Sequence, residues 1–187
     1  MGKTKWLIGK VIFALLCSFT IMAIVFVLST IPCAGKISSG TKWSPATTKL
    51  AYYYPELTYN TVFNLIQRDI YNHMYPGIAA VHSILLTTLL IFGYSLMLLI
   101  GKIFNKKNLF MGIDVVLMAA GGILATIKHK AAFFFPAGNA SLAGRYTEIG
   151  RTSNMPFYLS YIYMSVWIVL MLIVAFVGIK RRNICTK

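Results

Sequence analysis

The sequence predicts an all-α membrane protein: a four-helix transmembrane bundle with a small extracellular cap built from the first loop. Three observations carry this. Only 12% of the 187 residues are charged and 58% are apolar, where a soluble domain has roughly 25% charge, and mean hydropathy is positive. Four stretches are long and apolar enough to cross a hydrocarbon core, which takes roughly 20 helical residues. Backbone groups in lipid must bond within the segment, so these stretches read as helices; the short alternating strands of a membrane barrel are not present. Disorder is excluded because the chain is apolar and aromatic-rich. The length is that of one domain.

The first span, 11–31, contains no charged residue, and neither does the fourth, 157–179. The second, 77–101, contains only His82 as a titratable polar group of that kind. The third, 108–127, carries Asp114 and is the weakest of the four. The first span starts from basic residues and ends near Cys33-Ala34-Gly35, features shared with a signal peptide. Its apolar run exceeds the roughly 7–15 residues of a signal core, so it is expected to stay as a span. The start Met-Gly-Lys-Thr-Lys-Trp lacks the hydroxyl residue of a myristoylation signal.

Orientation follows from the cations. The net charge of +14 comes from 18 Lys and Arg against Glu56, Asp69, Asp114 and Glu148. Lys3, Lys5, Lys10, Lys102, Lys106, Lys107, Lys180, Arg181, Arg182 and Lys187 crowd into the termini and the short middle loop. The other eight are spread over the longer loops, 32–76 and 128–156. The denser side is expected to be cytoplasmic. Both termini therefore lie inside and the two longer loops outside. The basic residues serve as topology signals and contacts with anionic lipid; no nucleic-acid module accompanies them.

The first outer loop is rich in chemistry. Residues 37–54 mix turn formers with Trp43 and the run Tyr52, Tyr53, Tyr54, reading as short strands and turns. Residues 61–75 place Val62, Phe63, Ile66, Ile70 and Met74 at helical spacing, predicting an amphipathic helix that runs into Pro76. Trp43 and Tyr52–Tyr54 are candidate partner contacts, since exposed aromatics anchor interfaces. Equally, Trp and Tyr commonly lie at the lipid boundary or pack on span ends.

In the second outer loop, Asn139-Ala140-Ser141 forms an N-glycosylation acceptor. Of the three cysteines, Cys17 lies within a span and Cys33 just past it. Cys33 has no outer partner for a disulfide, so a small boundary residue is the simpler reading. Cys185 beside Lys180-Arg181-Arg182 is a candidate palmitoylation site.

One histidine and one carboxylate lie inside the spans, His82 and Asp114. An intramembrane carboxylate costs about 2.5–3.5 kcal/mol on insertion scales and is by default a functional hypothesis. The third span offers few other polar positions for an ion path, so pairing with Lys102, Lys106 or Lys107 is favoured. Gly121, Gly122 and Ala125 form a small-residue patch that lets a neighbouring helix approach closely. No metal-ligand cluster, paired carboxylates, phosphate loop or redox pair is present in the sequence. The chain is read as non-enzymatic and without cofactor.

The layout resembles the claudin-like tetraspan superfamily, which includes claudins, peripheral myelin proteins, clarins and channel-auxiliary tetraspans. It shares inside termini, a long first outer loop, a short basic inner loop and a shorter second outer loop. The 61–75 stretch is similar to the extracellular helix of claudins. The Gly/Ala-rich third span continuing into Thr126-Ile127-Lys128-His129-Lys130 looks like clarins. The match is one of layout: Trp43 is present, but the Gly-Leu-Trp and the cysteine pair of the claudin first loop are not. The resemblance implies a plasma-membrane protein that organises or modulates a junction, adhesion site or ion-channel complex. Its partners would be other integral membrane proteins and lipid, with homo-oligomerisation left open. A small oligomeric channel or transporter using Asp114 and His82 is the alternative.

Overall fold

The computed structural model describes residues 2–31, 43, 70, 73–127, 129–142, 145 and 155–181. These form α1 (Lys3–Thr30), α2 (Pro76–Ile103), α3 (Lys107–Thr126), a 3-10 helix (Lys130–Phe134), α4 (Pro136–Ala140) and α5 (Phe157–Arg181). Among the described residues there is no strand. Four of the helices, α1, α2, α3 and α5, are long and apolar enough to cross a membrane, matching the four predicted spans. The cap expected from the first loop, with Tyr52, Tyr53 and Tyr54, lies outside the described residues.

Three of these helices, α1, α2 and α5, are longer than the predicted spans. The 28 residues of α1 make a rod of about 42 Å against a core of about 30 Å. The surplus turns carry Lys3, Lys5 and Lys10, whose helix formers let the coil continue beyond the apolar stretch. Proline opens α2 at its first turn, where a missing N–H costs nothing. Its end is a left-handed cap. Asn105 has φ 55°, its N–H donates to the Lys102 carbonyl at 3.2 Å, and Lys106 N–H reaches back to Gly101 at 2.8 Å. That reciprocal pair satisfies two orphan carbonyls and turns the chain straight into α3.

Six of the hydroxyls within the spans are spent on their own helices. Ser18, Thr20, Ser29, Thr88, Ser95 and Thr126 each donate to the carbonyl four residues back, at 2.7–2.9 Å. This is the low-cost way to carry a hydroxyl in a span.

Packing shows how the helices alternate. Leu7 of α1, Ile100 and Ile103 of α2, and Ala175 and Ile179 of α5 form one core cluster, with Phe110 of α3 beside it. The start of α1 and of α3 thus meets the ends of α2 and α5, and the lysines at these helix ends make this the basic end of the bundle. At the opposite, loop end, Leu86 and Leu90 of α2 pack on Met164 of α5 and Ala140 of α4. Phe92, Leu96 and Ile168 fill the middle. The α2–α5 pair is the most extensive helix contact, and α1 packs on both. In contrast, α3 is held by α2, the 3-10 helix and α4.

Candidate functional site

The loop after α3 folds back into the bundle. Residues 131–142 are mostly Ala, Phe and Gly, interrupted by Pro136, Asn139, Ser141 and Leu142, and are apolar enough to be accommodated between helices. The 3-10 helix and α4 lie against α3, and α4 also touches α2 and α5. What permits this is Gly121. A Cβ there would come within 2.8 Å of Phe135 and 3.0 Å of Ala137, closer than side chains tolerate. Gly121 and Ala125 are buried beneath the loop. What Gly121 meets is the loop, through Phe135, Ala137 and Gly138. Gly122 differs: it is exposed, with nothing within 4 Å of its Cβ position, because one helical step of 100° turns it away.

A polar cluster locks the loop in place. Arg145, Asn139 and Ser160 are all fully buried, at 0% exposure. The Arg145 guanidinium donates to the carbonyl of Ser141 at 2.8 Å and to Ser160 Oγ at 2.9 Å, and also to the Asn139 carbonyl. Ser160 Oγ donates in turn to Asn139 Oδ1 at 3.0 Å. The Asn139 amide completes the set, donating to the carbonyls of Phe133 and Phe135 at 2.5 and 3.1 Å. Beside it, Arg145 lies 4.3 Å from the Phe157 ring centre, and His82 stacks on the same ring at 4.0 Å. His82 Nδ1 shares a 2.9 Å hydrogen bond with the Tyr161 hydroxyl. A buried charge is tolerated only when its donors are matched in this way.

The glycan expected at Asn139 does not fit this arrangement. The nitrogen that would carry the sugar is buried and donates to two carbonyls; a glycan would have to break both bonds and open the loop. Asn139 is a structural clasp in the folded chain. Arg145 and Ser160, the other members, are invisible to sequence reasoning, since a lone loop arginine and a span serine carry no spacing signal. The apolar run preceding Asn139 is the one hint that this loop is not a surface segment.

Asp114 lies elsewhere, on α3, buried at 8% exposure. Neither carboxylate oxygen has a hydrogen-bond partner among the described residues, so the expected pairing with Lys102, Lys106 or Lys107 is not formed. The Tyr94 hydroxyl of α2 is likewise buried without a hydrogen-bond partner among the described residues. On α2 the buried Leu86 and Leu90 lie between His82 and Tyr94, so His82 and Asp114 do not meet. Trp43 spends its indole N–H on the Met74 carbonyl at 2.7 Å and is only partly exposed, which ties it to the entry of α2. Cys17 is a free, partly buried thiol; Cys33 and Cys185 lie outside the described residues.

Among the described residues no group of three His, Cys, Asp or Glu is placed to hold a metal ion. The fold and its polar clasp define a multi-pass membrane protein with four candidate spans. Comparison with family models, with curated proteins and with solved structures returned no match.

Proposed function

We propose that this chain is a non-enzymatic membrane protein that organises or modulates a complex of other integral membrane proteins through lateral helix packing and outer-loop contacts. The observation that supports it most is the two-faced character of α3. Asp114, Gly121 and Ala125 are turned into the bundle and buried. Gly112, Val115, Ala119 and Gly122 are exposed on the other side, within about 80° of one another at 100° per residue. With small residues on it, that outward face offers close backbone approach to a second helix, the usual basis of association in lipid. The clamped loop above it would present a rigid outer surface beside the same partner. The claudin-like layout supplies the setting: a plasma-membrane junction, adhesion site or ion-channel assembly.

The test is purification of the tagged chain from its native membrane in mild detergent, with mass spectrometry of what accompanies it. The expected result is a stoichiometric membrane-protein partner that is lost from the Gly122→Leu and Ala119→Leu variants while the chain itself stays folded. Purification as a lone species, or a partner indifferent to both substitutions, would overturn the reading.

A second reading, a small oligomeric channel or transporter, is favoured by one observation: the buried Asp114 carboxylate and Tyr94 hydroxyl have no hydrogen-bond partners among the described residues. Against it, the described interior between that pair and His82 is filled by leucines.

A further inference from the structure

Three lysines from three different helices converge at the basic end. Lys10 of α1, Lys102 of α2 and Lys107 of α3 line one open-sided cavity of about 450 Å³, together with Asn105 from the α2–α3 turn. Its remaining wall is Ala14, Leu98, Leu99 and Ser95, the Ser95 hydroxyl already donating to the Ile91 carbonyl of its own helix. A volume of this size is within the range of small-molecule sites. The charge is uncompensated by the described protein: Asp114, the only carboxylate among the described residues, hydrogen-bonds to none of the three. Moreover α3 begins here with no acidic residue in its first turn and no side-chain cap. The positive end of its dipole adds to the lysines where anions are ordinarily preferred.

From this we infer a binding site for an anionic phospholipid, its phosphate headgroup held by Lys10, Lys102 and Lys107 and the start of its acyl chains laid along Leu98 and Leu99. Several ammonium groups set at the head of an apolar wall, at the end of a membrane span, match an amphiphile whose charge and hydrocarbon lie in that order. A soluble phosphate would use the lysines and leave the leucines unused. This end is also the one that the charge bias predicts to be cytoplasmic, where anionic lipids supply the negative surface potential. The lysine side chains have the reach to lift their charge to headgroup level while their stems cover apolar surface.

The experiment uses the full purified chain, reconstituted in vesicles of equal parts phosphatidylglycerol and phosphatidylcholine, extracted and weighed intact by native mass spectrometry. The expected outcome is retained phosphatidylglycerol in preference to phosphatidylcholine. The triple variant Lys10→Gln, Lys102→Gln, Lys107→Gln should reduce that preference by on the order of tenfold or more. A control triple, Lys3→Gln, Lys5→Gln, Lys180→Gln, removes the same charge outside the cavity and should leave it intact. Equal loss in both triples would mean diffuse attraction and would sink the site. So would the absence of any preference in the unaltered chain, or its abolition by inorganic phosphate alone. All three cavity lysines are exposed, so their replacement spares the core. Should the triple nevertheless fail to fold, Lys10→Gln alone must still lower the preference, or the proposal fails.

Discussion

Replacing Arg145 with methionine keeps much of the side-chain volume but takes the donor from Ser160 Oγ and from the carbonyls of Ser141 and Asn139 at once. Buried acceptors left without a partner cost about 1–3 kcal/mol each, less whatever relaxation recovers. We expect a loss of about 3 kcal/mol or more, read as a melting temperature lower by on the order of 5–10 °C for a chain of this size. Arg145→Lys should recover little, because one ammonium cannot reproduce the planar fork. An unchanged melting curve for either variant would show that the clasp is not structural. Asn139 yields a second, opposed pair of expectations. Glycosidase treatment of the native protein should leave its gel mobility unchanged, and Asn139→Asp should destabilise, since a carboxylate cannot donate to Phe133 and Phe135. A mobility shift that disappears in Asn139→Asp would mean that the loop is open in the membrane.

Consecutive glycines on α3 have opposite duties, and the helix explains why. Gly121 faces Phe135 and Ala137, whereas Gly122 faces open space. Gly121→Leu should therefore push the loop off α3 and cost about 1–3 kcal/mol as an overpacked site. Gly122→Leu should change the stability of the isolated chain by no more than about 0.5 kcal/mol, or raise it slightly through helix propensity. Thermal melting in detergent separates the two. The spans themselves were legible because an apolar stretch of that length has few alternatives in water or lipid. The Gly121–Ala125 pair was legible as a packing patch, but not its partner. Periodicity tells which residues share a face; it carries no information about which later segment will cover that face.

Flux is a property of the whole molecule, and Asp114→Asn tests it. If the chain is an organiser, the substitution should leave ion flux in reconstituted vesicles at background in both forms. Stability should be unchanged or raised by about 1 kcal/mol, because a buried charge without hydrogen-bond partners is relieved. Flux in the unaltered chain that disappears in Asp114→Asn would favour the channel reading instead. The expected Asp114–lysine pairing was reasonable from distance along the helix alone, about two turns. It fails because Asp114 is turned inward, on the Gly121 and Ala125 face, while the lysines are exposed.

Membrane residence, the number of spans and their helical form were written into composition and run length, since lipid leaves an apolar backbone almost no other solution. The bias of cations toward the termini and middle loop is likewise a sequence property. The clasp of Arg145, Asn139 and Ser160, the re-entry of the second loop and the meeting of Lys10, Lys102 and Lys107 arise differently. Each joins residues from separate segments, through side chains whose type is unremarkable in any one of them. Such groups exist only once the helices have packed and set those side chains at hydrogen-bond or cavity distance, which no local pattern of the chain encodes.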